Sequence, residues 1–587
     1  MMRLRWLAAL CALAVVATPL AQQRSIDDFF RTISDGWVRM NPNLAVSTRY
    51  FSSEEQDRLE QQITSYSDAA ERARLEYIQR GLQELRRFDR SGMSDAQRLS
   101  ADLLRYHLES YVEWAKYDDY MFPLDQFNGA NIWLPNALTV QHPVRTPKDV
   151  SNYIARLGEV APRMAEAIVE SRQRAEKDLI PPRFILDRSI DQMRRFIETP
   201  PAQNPFVSSL DERAAAIKEL TPAARAAAVA QAERIVRESV YPEWNRAIAF
   251  LETLVPRSAD RAGLWRLEGG AKAYAHFLKA FTTTDFTAEQ IHEIGLRKVA
   301  ELERDMDAIL RKLGRSNGTV KERVVQLKKD LSYPLNEGGR KQIMADIDAM
   351  IREAERRSAL QFDVRPKGPV IAQPYPRFRE ANAAASYTSP PLDGSRPAIF
   401  QMPLRPDQMT KFGLRTLVHH ETVPGHHFQI ALMVENPFLP KFRQARLFGG
   451  ISAITEGWAL YAERVAAEAG WYADDPEGLL GQMDKELWRA RRLVVDTGMH
   501  AKRWTREQAI DYGIEASEIE RYVVMPGQAC SYMIGQLKIL DLRDRAKSQL
   551  RDRFSERAFH NAVLAPGAVP LDMLEQEVDR YIRAARN

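Results

Sequence analysis

Apolar residues recur with a helical period along most of the chain. After the capping-box sequence Thr287-Ala-Glu-Gln290, apolar side chains follow every three to five residues from Ile291 to Leu313, which places them on one face of a helix. Similar patterns predict helices over residues 54–90, 95–118, 147–178, 208–255, 338–360, 475–500 and 527–550. The predicted fold class is therefore mainly α.

One proline-rich region interrupts this pattern. Residues 366–406 hold nine of the 32 prolines and two short extended pieces, 369–373 and 397–402. Proline cannot donate a hydrogen bond to a sheet, so any strands here should be short or lie at a sheet edge. We expect a small β element just before the histidine-rich segment described below. Residues 22–360 would then form a helical half and 361–587 the half that carries the chemistry, together one compact unit with a cleft.

The first 21 residues have the pattern of a secretory signal peptide. A short basic head precedes an apolar run over residues 6–20, and small residues offer cleavage after Ala21 or Ala17. The run is too short for a membrane span, and no later stretch reaches the ~18 apolar residues that a span needs. We therefore expect export to the periplasm or the medium. Loss of Cys11 would leave Cys530 as the only thiol and exclude an intramolecular disulfide.

Charge and motifs exclude several function classes. The chain has 83 basic and 79 acidic side chains, a net charge of +4. They are interleaved, as in residues 297–304, which is typical of solvated helix faces and predicts no nucleic-acid surface. A Gly-x-Ser-x-Gly elbow, a phosphate-binding loop and a dinucleotide fingerprint are all missing from the sequence. Nothing in the sequence indicates an oligomeric state.

The candidate chemistry lies in two segments. Residues 419–427 read His-His-Glu-Thr-Val-Pro-Gly-His-His, and residues 455–463 read Thr-Glu-Gly-Trp-Ala-Leu-Tyr-Ala-Glu. A His-Glu pair, a nearby second His and a later Glu on a helix are the components of a catalytic zinc site. We therefore expect a metal-dependent hydrolase.

The spacing of the histidines departs from the common i, i+4 arrangement. Four residues after His420 stands Pro424, and the next histidines are His426 and His427. In an undistorted helix i+6 points away from i, and i+7 lies about 10 Å along the axis. Pro424-Gly425 predicts a break in the helix that could correct this. A bulge of two residues would bring in His426, and a bulge of three would bring in His427.

Together these motifs resemble the bacterial family called domain of unknown function 885. That family is similar to the gluzincin metallopeptidases, which include angiotensin-converting enzyme and helical carboxypeptidases. The resemblance implies a large helical, zincin-like body with a substrate cleft and one Zn²⁺ per chain. It also implies Glu421 as general base and His420, His426 and Glu456 as metal ligands.

Three further residues are candidates for support of the reaction. A gluzincin site needs a donor to the oxyanion formed at the attacked carbonyl, and His500 and Tyr532 are the candidates. The alternative for each is a capping or core role. Glu463 lies seven residues after Glu456 on the same helix face, where it would either orient a ligand histidine or form a surface ion pair.

Three residues are candidates for substrate binding. Whichever of the adjacent histidines does not bind metal should face the substrate, which we assign to His427. Arg521 could bind a substrate carboxylate with two hydrogen bonds, or form an ordinary ion pair. Tyr387 lies in a segment, 385–400, that resembles the edge strand and loop that pair with an extended substrate in these enzymes; a plain hairpin is the alternative.

The sequence thus predicts an exported zinc metallopeptidase of the carboxypeptidase or dipeptidase kind, acting on short peptides. Two alternatives stay open: a zinc hydrolase of a non-peptide amide or ester, and a non-catalytic periplasmic binding or scaffold protein that contains zinc.

Overall fold

The computed structural model describes residues 24–375, 380 and 384–586. The predicted signal peptide, residues 1–21 with Cys11, lies outside the described residues. The fold is mainly α, as predicted. Its α-helices are Ile26–Met40, Pro42–Thr48, Ser53–Glu60, Asp68–Leu85, Asp95–Trp114, Ala130–Asn136, Pro147–Gly158, Val160–Glu176, Arg183–Glu198, Pro205–Ala214, Pro222–Ile235, Tyr241–Leu254, Gly270–Thr282, Ala288–Lys312, Val320–Asp330, Glu337–Ser358, Lys411–Glu421, His426–Val434, Lys441–Gln444, Ser452–Glu468, Pro476–Ala501, Arg506–Asp511, Ala516–Val524, Ser531–Leu550, Glu556–Leu564 and Leu571–Arg586.

The structure confirms the predicted capping box and divides several of the predicted helices. Thr287 and Gln290 form the expected reciprocal capping box at the start of Ala288–Lys312, whose buried face includes Ile291, Leu302 and Leu310. The patterns over 54–90, 147–178 and 208–255 each divide into two or three α-helices, separated by short turns or, at Val236–Val240, by a π-helical segment. Period alone does not mark these turns because the apolar stripe continues across them.

The proline-rich region forms a small mixed sheet. Strands β1 (Val370–Pro374), β2 (Ser386–Thr388) and β3 (Ala398–Met402) are arranged in the order β1-β3-β2. β1 pairs in parallel with β3, whereas β2 pairs antiparallel to it, with Tyr387 opposite Phe400. Within the described residues, β2 is therefore an edge strand. The sheet packs on the helix that carries the first histidines, through Phe400, Leu414 and Val418.

The largest apolar core joins the beginning and the end of the chain. It runs from Phe29 in the first helix to Ile582 in the last and contains Trp458 and Leu493. A second core lies within residues 63–254 and packs around Trp244. None of the described helices combines the length and apolar character that a membrane-spanning segment requires.

Candidate metal centre

The predicted break separates two histidine helices. The first histidine helix, Lys411–Glu421, ends before Thr422, and the second, His426–Val434, begins immediately after Gly425. A Cβ atom on Gly425 would lie 1.9 Å from the carbonyl oxygen of His420, so only glycine allows the loop to fold back this far. Trp458 donates from Nε1 to the carbonyl oxygen of Pro424 at 2.9 Å. The loop is thereby tied to the helix that carries Glu456.

The break brings His420, His426 and Glu456 together. Nε2 of His420 lies 3.6 Å and Nε2 of His426 lies 3.4 Å from Oε2 of Glu456. One ligand atom from each residue lies within 4.8 Å of the others. Ligand atoms about 2.1 Å from a tetrahedral zinc would stand about 3.4 Å apart. The donor set and its spacing therefore fit a divalent cation such as zinc.

Unpaired polar atoms at the centre also fit a cation. Oε2 of Glu456 is buried and has no hydrogen-bond partner among the described residues. Leaving such an oxygen unpaired in the interior is costly, and a metal ion would satisfy it. Nδ1 of His426 is likewise buried without a partner.

Glu463 supports His420 from behind. Its Oε1 accepts a hydrogen bond from Nδ1 of His420 at 2.7 Å, and its side chain is fully buried. Arg489 approaches the same oxygen at 3.4 Å. This bond leaves Nε2 of His420 as the nitrogen that faces the cluster, as in other carboxylate–histidine–metal arrangements. Of the two alternatives for Glu463, the structure shows the buried one.

Two glycines bring the next helices into contact. Glu456 lies on the glutamate helix, Ser452–Glu468, and Tyr532 on the tyrosine helix, Ser531–Leu550. A Cβ on Gly457 would lie 2.5 Å from Cα of Gly535, so the two backbones approach more closely than larger residues would allow. The ring of Tyr532 consequently stacks near His420, with ring centroids 6.4 Å apart.

The electrostatics of the cluster are strongly coupled. Burial lowers the pKa of His420, but the neighbouring carboxylates of Glu456 and Glu463 outweigh it and raise the pKa to about 9. Burial opposes ionisation of Glu456 as well, yet the two histidines hold its pKa well below the usual range. The cluster therefore stabilises positive charge between carboxylates, and a metal ion can take the place of the protons.

Glu421 differs from Glu456 although both are near the histidines. Burial raises the pKa of Glu421 above its ordinary value, and the neighbouring histidines oppose this only in part. Its carboxylate makes no hydrogen bond to the described residues, and it faces two cavities. A carboxylate with a raised pKa at a cavity wall is suited to accept a proton and to return it.

The cluster lies at the junction of three cavities. A metal cavity of about 280 Å³ is lined by His420, Glu421, His426, Glu456 and Tyr532 among others. A cleft of about 830 Å³ shares His420 and Glu421 with it and reaches residues 126–136. A chamber of about 1160 Å³ shares Tyr387 with the metal cavity and Thr139 with the cleft. The space next to the cluster can thus hold more of a substrate than its reacting group.

The adjacent histidine has a different position. Nε2 of His427 donates to the carbonyl oxygen of Gly368 at 3.2 Å, and Nδ1 accepts from the hydroxyl of Tyr387 at 3.2 Å. His427 does not belong to the group of possible metal ligands. Instead it supports Tyr387 on the edge strand β2, whose ring lines the metal cavity.

Two other candidates, His500 and Arg521, already have hydrogen-bond partners, which limits the roles that they can take. His500 is buried in the last turn of the helix Pro476–Ala501. It accepts at Nδ1 from the Leu264 N–H at 3.1 Å and donates from Nε2 to the carbonyl oxygen of Tyr522 at 3.1 Å. It also lines none of the three cavities. Of the two oxyanion donors considered, only Tyr532 is brought to the cluster.

Arg521 lines the cleft but is already paired. It donates from Nη2 to Glu518 at 2.9 Å and from Nη1 to Gln528 at 2.7 Å. Arg492 shares Glu518 and stacks over Tyr532 at 4.5 Å. No signal in the sequence singles out Arg492, because its contact with Tyr532 joins residues 40 positions apart.

Comparisons with known proteins show the family and the fold of this chain. Residues 42–578 match the family model described as "Bacterial protein of unknown function (DUF885)". The crystal structure titled as a "putative lipoprotein" from Colwellia psychrerythraea is similar, with 32% identity, a TM-score of 0.89, and coverage of 95% of this chain and 99% of the other. A "putative lipoprotein of unknown function" from Shewanella oneidensis has the same fold, with 19% identity, a TM-score of 0.69, and coverage of 94% and 99%. No curated protein matches the chain.

Proposed function

This chain belongs to the bacterial DUF885 family, and from that premise we propose that it is an exported, zinc-dependent hydrolase of gluzincin type that cleaves short peptides. The observation that carries the proposal is the combination of the His420–His426–Glu456 cluster with Glu421 beside it. A metal site that serves only to stabilise a fold does not need a neighbouring carboxylate that is buried and makes no hydrogen bond to the described residues.

Each residue has a defined part in the proposed reaction. His420, His426 and Glu456 would hold a zinc ion, which polarises a carbonyl and lowers the pKa of a water molecule when bound. Glu421 accepts the proton of the attacking water and passes it to the leaving amine. Tyr532 donates a hydrogen bond to the oxygen of the attacked carbonyl as negative charge develops there.

The surroundings favour an extended substrate. The edge strand β2 presents Ser386 and Tyr387 to the metal cavity, and an edge strand offers unpaired backbone groups to a peptide backbone. The cleft shares His420 and Glu421 with the metal cavity, and the chamber adjoins that cavity at Tyr387. We propose that these cavities form the substrate cleft of a zincin-like body. Such a cleft admits a chain of a few residues more readily than a folded protein.

Metal content and chelation test the proposal. Purified protein should contain about one zinc per chain by elemental analysis, and His420→Ala should lose it. Hydrolysis of a panel of short peptides should stop after chelation and return when zinc is added back. Turnover of amides or esters without turnover of peptides would favour the non-peptide hydrolase. Stoichiometric zinc without turnover of any substrate would favour a binding or scaffold protein.

We also propose export, on the basis of the N-terminal pattern of residues 1–21. Both similar structures are of proteins described as a "putative lipoprotein", which supports export. Fractionation of cells that express the full-length chain should recover it outside the cytoplasm, and deletion of residues 1–21 should retain it inside.

A further inference from the structure

Arg446 occupies a backbone position that suits glycine. It follows the short helix Lys441–Gln444 and has φ = 51°. The N–H of Leu447 closes the helix end by donating to the carbonyl oxygen of Phe442 at 3.0 Å. Glycine is the usual residue at such a left-handed helix end because a side chain is strained there. An arginine at this place suggests that its side chain has a use that outweighs the strain.

The side chain of Arg446 makes no hydrogen bond or ion pair with any described residue. It is partly buried and lines both the metal cavity, with His426 and Glu456, and the adjoining chamber of about 1160 Å³. Burial lowers the pKa of Arg446, and the phenol of Tyr387 is the neighbour that opposes this. A partly desolvated guanidinium without a carboxylate partner is costly unless an anion joins it.

Two other arginines of the same chamber have carboxylate partners. Arg49 pairs with Glu60 and Asp393, and Arg340 pairs with Glu380. Arg396 resembles Arg446, because its only hydrogen bond goes to the carbonyl oxygen of Pro397 at 3.0 Å. Arg396 and Arg446 both act on Tyr387, whose pKa each lowers against the effect of burial. Arg213 also lacks an ion pair, but it donates to the carbonyl oxygens of His142 and Leu138. The two guanidinium groups near Tyr387, at the entrance to the metal cavity, therefore have no ion-pair partner among the described residues.

We propose that Arg446, assisted by Arg396, binds a carboxylate of the substrate and selects peptides that place this group in the chamber. The inference rests on the proposed hydrolase and names its substrate class. A planar guanidinium matches a carboxylate with two parallel hydrogen bonds. The carboxylate could be the C-terminal one or that of an acidic side chain, and three probes distinguish them: Ala-Ala-Phe as free acid, Ala-Ala-Phe amide and Ala-Ala-Asp amide.

The variant Arg446→Gly tests the proposal without damage to the fold. Because glycine suits the backbone, its melting temperature should equal or exceed that of the wild type. The wild type should prefer one carboxylate-bearing probe over Ala-Ala-Phe amide by about 10- to 100-fold in kcat/KM, the range expected for a hydrogen-bonded charge. Arg446→Gly should reduce this preference to less than about threefold. Arg145→Met removes an exposed charge, paired with Asp149 at 3.5 Å, from the same chamber and should leave the preference intact.

Calorimetry with the Glu421→Gln variant separates this inference from the proposed function, because binding does not require turnover. An Arg446-dependent preference in binding, with no hydrolysis by the wild type, would support the carboxylate site and overturn the hydrolase. Equal use or binding of all three probes by the wild type, or a preference that survives in Arg446→Gly, would overturn the carboxylate site and leave the hydrolase standing.

Discussion

The metal centre and the cluster around His500 are both buried and both contain histidines, but they differ in how their polar atoms are paired. In the metal centre, Oε2 of Glu456, Nδ1 of His426 and Oγ1 of Thr455 are buried without partners among the described residues. In the second cluster both ring nitrogens of His500 have backbone partners. Asp496 there accepts from the hydroxyl of Tyr274 at 2.7 Å and from the N–H of Gly527.

The cluster around His500, whose polar atoms are paired, stabilises the fold. The metal centre, with unpaired polar atoms, can bind a ligand. Folding normally pairs buried polar atoms, so a complete set of partners needs no further explanation. An incomplete set, at the wall of a cavity, indicates that something else completes it. Residue type alone does not make this distinction, since histidines and carboxylates occur in both clusters.

The largest expected contrast comes from one conservative change in each cluster. Glu421→Gln keeps shape but cannot accept a proton, so it should lower kcat about 100- to 10,000-fold with metal content and melting temperature unchanged. His500→Gln should instead lower the melting temperature while kcat/KM stays close to that of the wild type, because His500 bonds only backbone groups of the interior. A large loss of kcat in His500→Gln at unchanged stability would reverse our reading of the two clusters and restore His500 as an oxyanion donor.

The adjacent histidines should differ in metal binding. His426→Ala should lose zinc, since Nε2 of His426 faces Glu456, whereas His427→Ala should keep it and change mainly substrate binding through Tyr387. Elemental analysis of both variants, beside His420→Ala, measures this. Loss of metal in His427→Ala alone would mean that a three-residue bulge forms and that the ligand assignment is wrong.

The cluster around His500 should make the free energy of unfolding depend on pH, through Asp496. Burial raises the pKa of Asp496 to about 7, so the folded chain keeps a proton that the unfolded chain releases near pH 4. The stabilisation that comes from this proton is complete below about pH 4. As the pH rises from about 4 to 7 it is lost, and the free energy of unfolding falls by about 1.4 kcal/mol per pH unit. Asp496→Asn should remove this slope. Denaturant unfolding of both proteins at pH 5, 6 and 7 gives the difference, and parallel curves would refute the assignment.

The smallest effect is expected from the residue behind the metal centre. Glu463→Gln keeps a hydrogen-bond acceptor for His420 but removes the charge, so zinc affinity should fall about 10- to 100-fold. Glu468→Gln, on the same helix but at its partly exposed end, should leave affinity unchanged. Competition with a chelator of known affinity measures both. Equal affinity in Glu463→Gln and the wild type would mean that Glu463 only fills space.

Local signals in the sequence were sufficient for part of the site. The break after Glu421 was predicted because proline and glycine act on the backbone where they stand, and the stripe after Thr287 was predicted because helix period is local. The roles of His500 and Tyr532 were not separable, since each depends on partners far away in the chain. Arg446 was missed because its proposed role is inferred from a positive φ and from the lack of a partner among the described residues. Neither property can be recognised in the sequence.

The loop between the two histidine helices has a consequence for how such sites are recognised in other proteins. A search that requires three residues between the histidines would reject this chain, although the two imidazole rings stand with their centroids 4.8 Å apart. What the loop preserves is the distance in space, through Gly425 against the carbonyl oxygens of residues 419 and 420 and Trp458 against Pro424. A profile that allows a variable insertion closed by Pro-Gly, and asks for a Trp two residues after the glutamate ligand, would find metal centres that fixed spacing excludes.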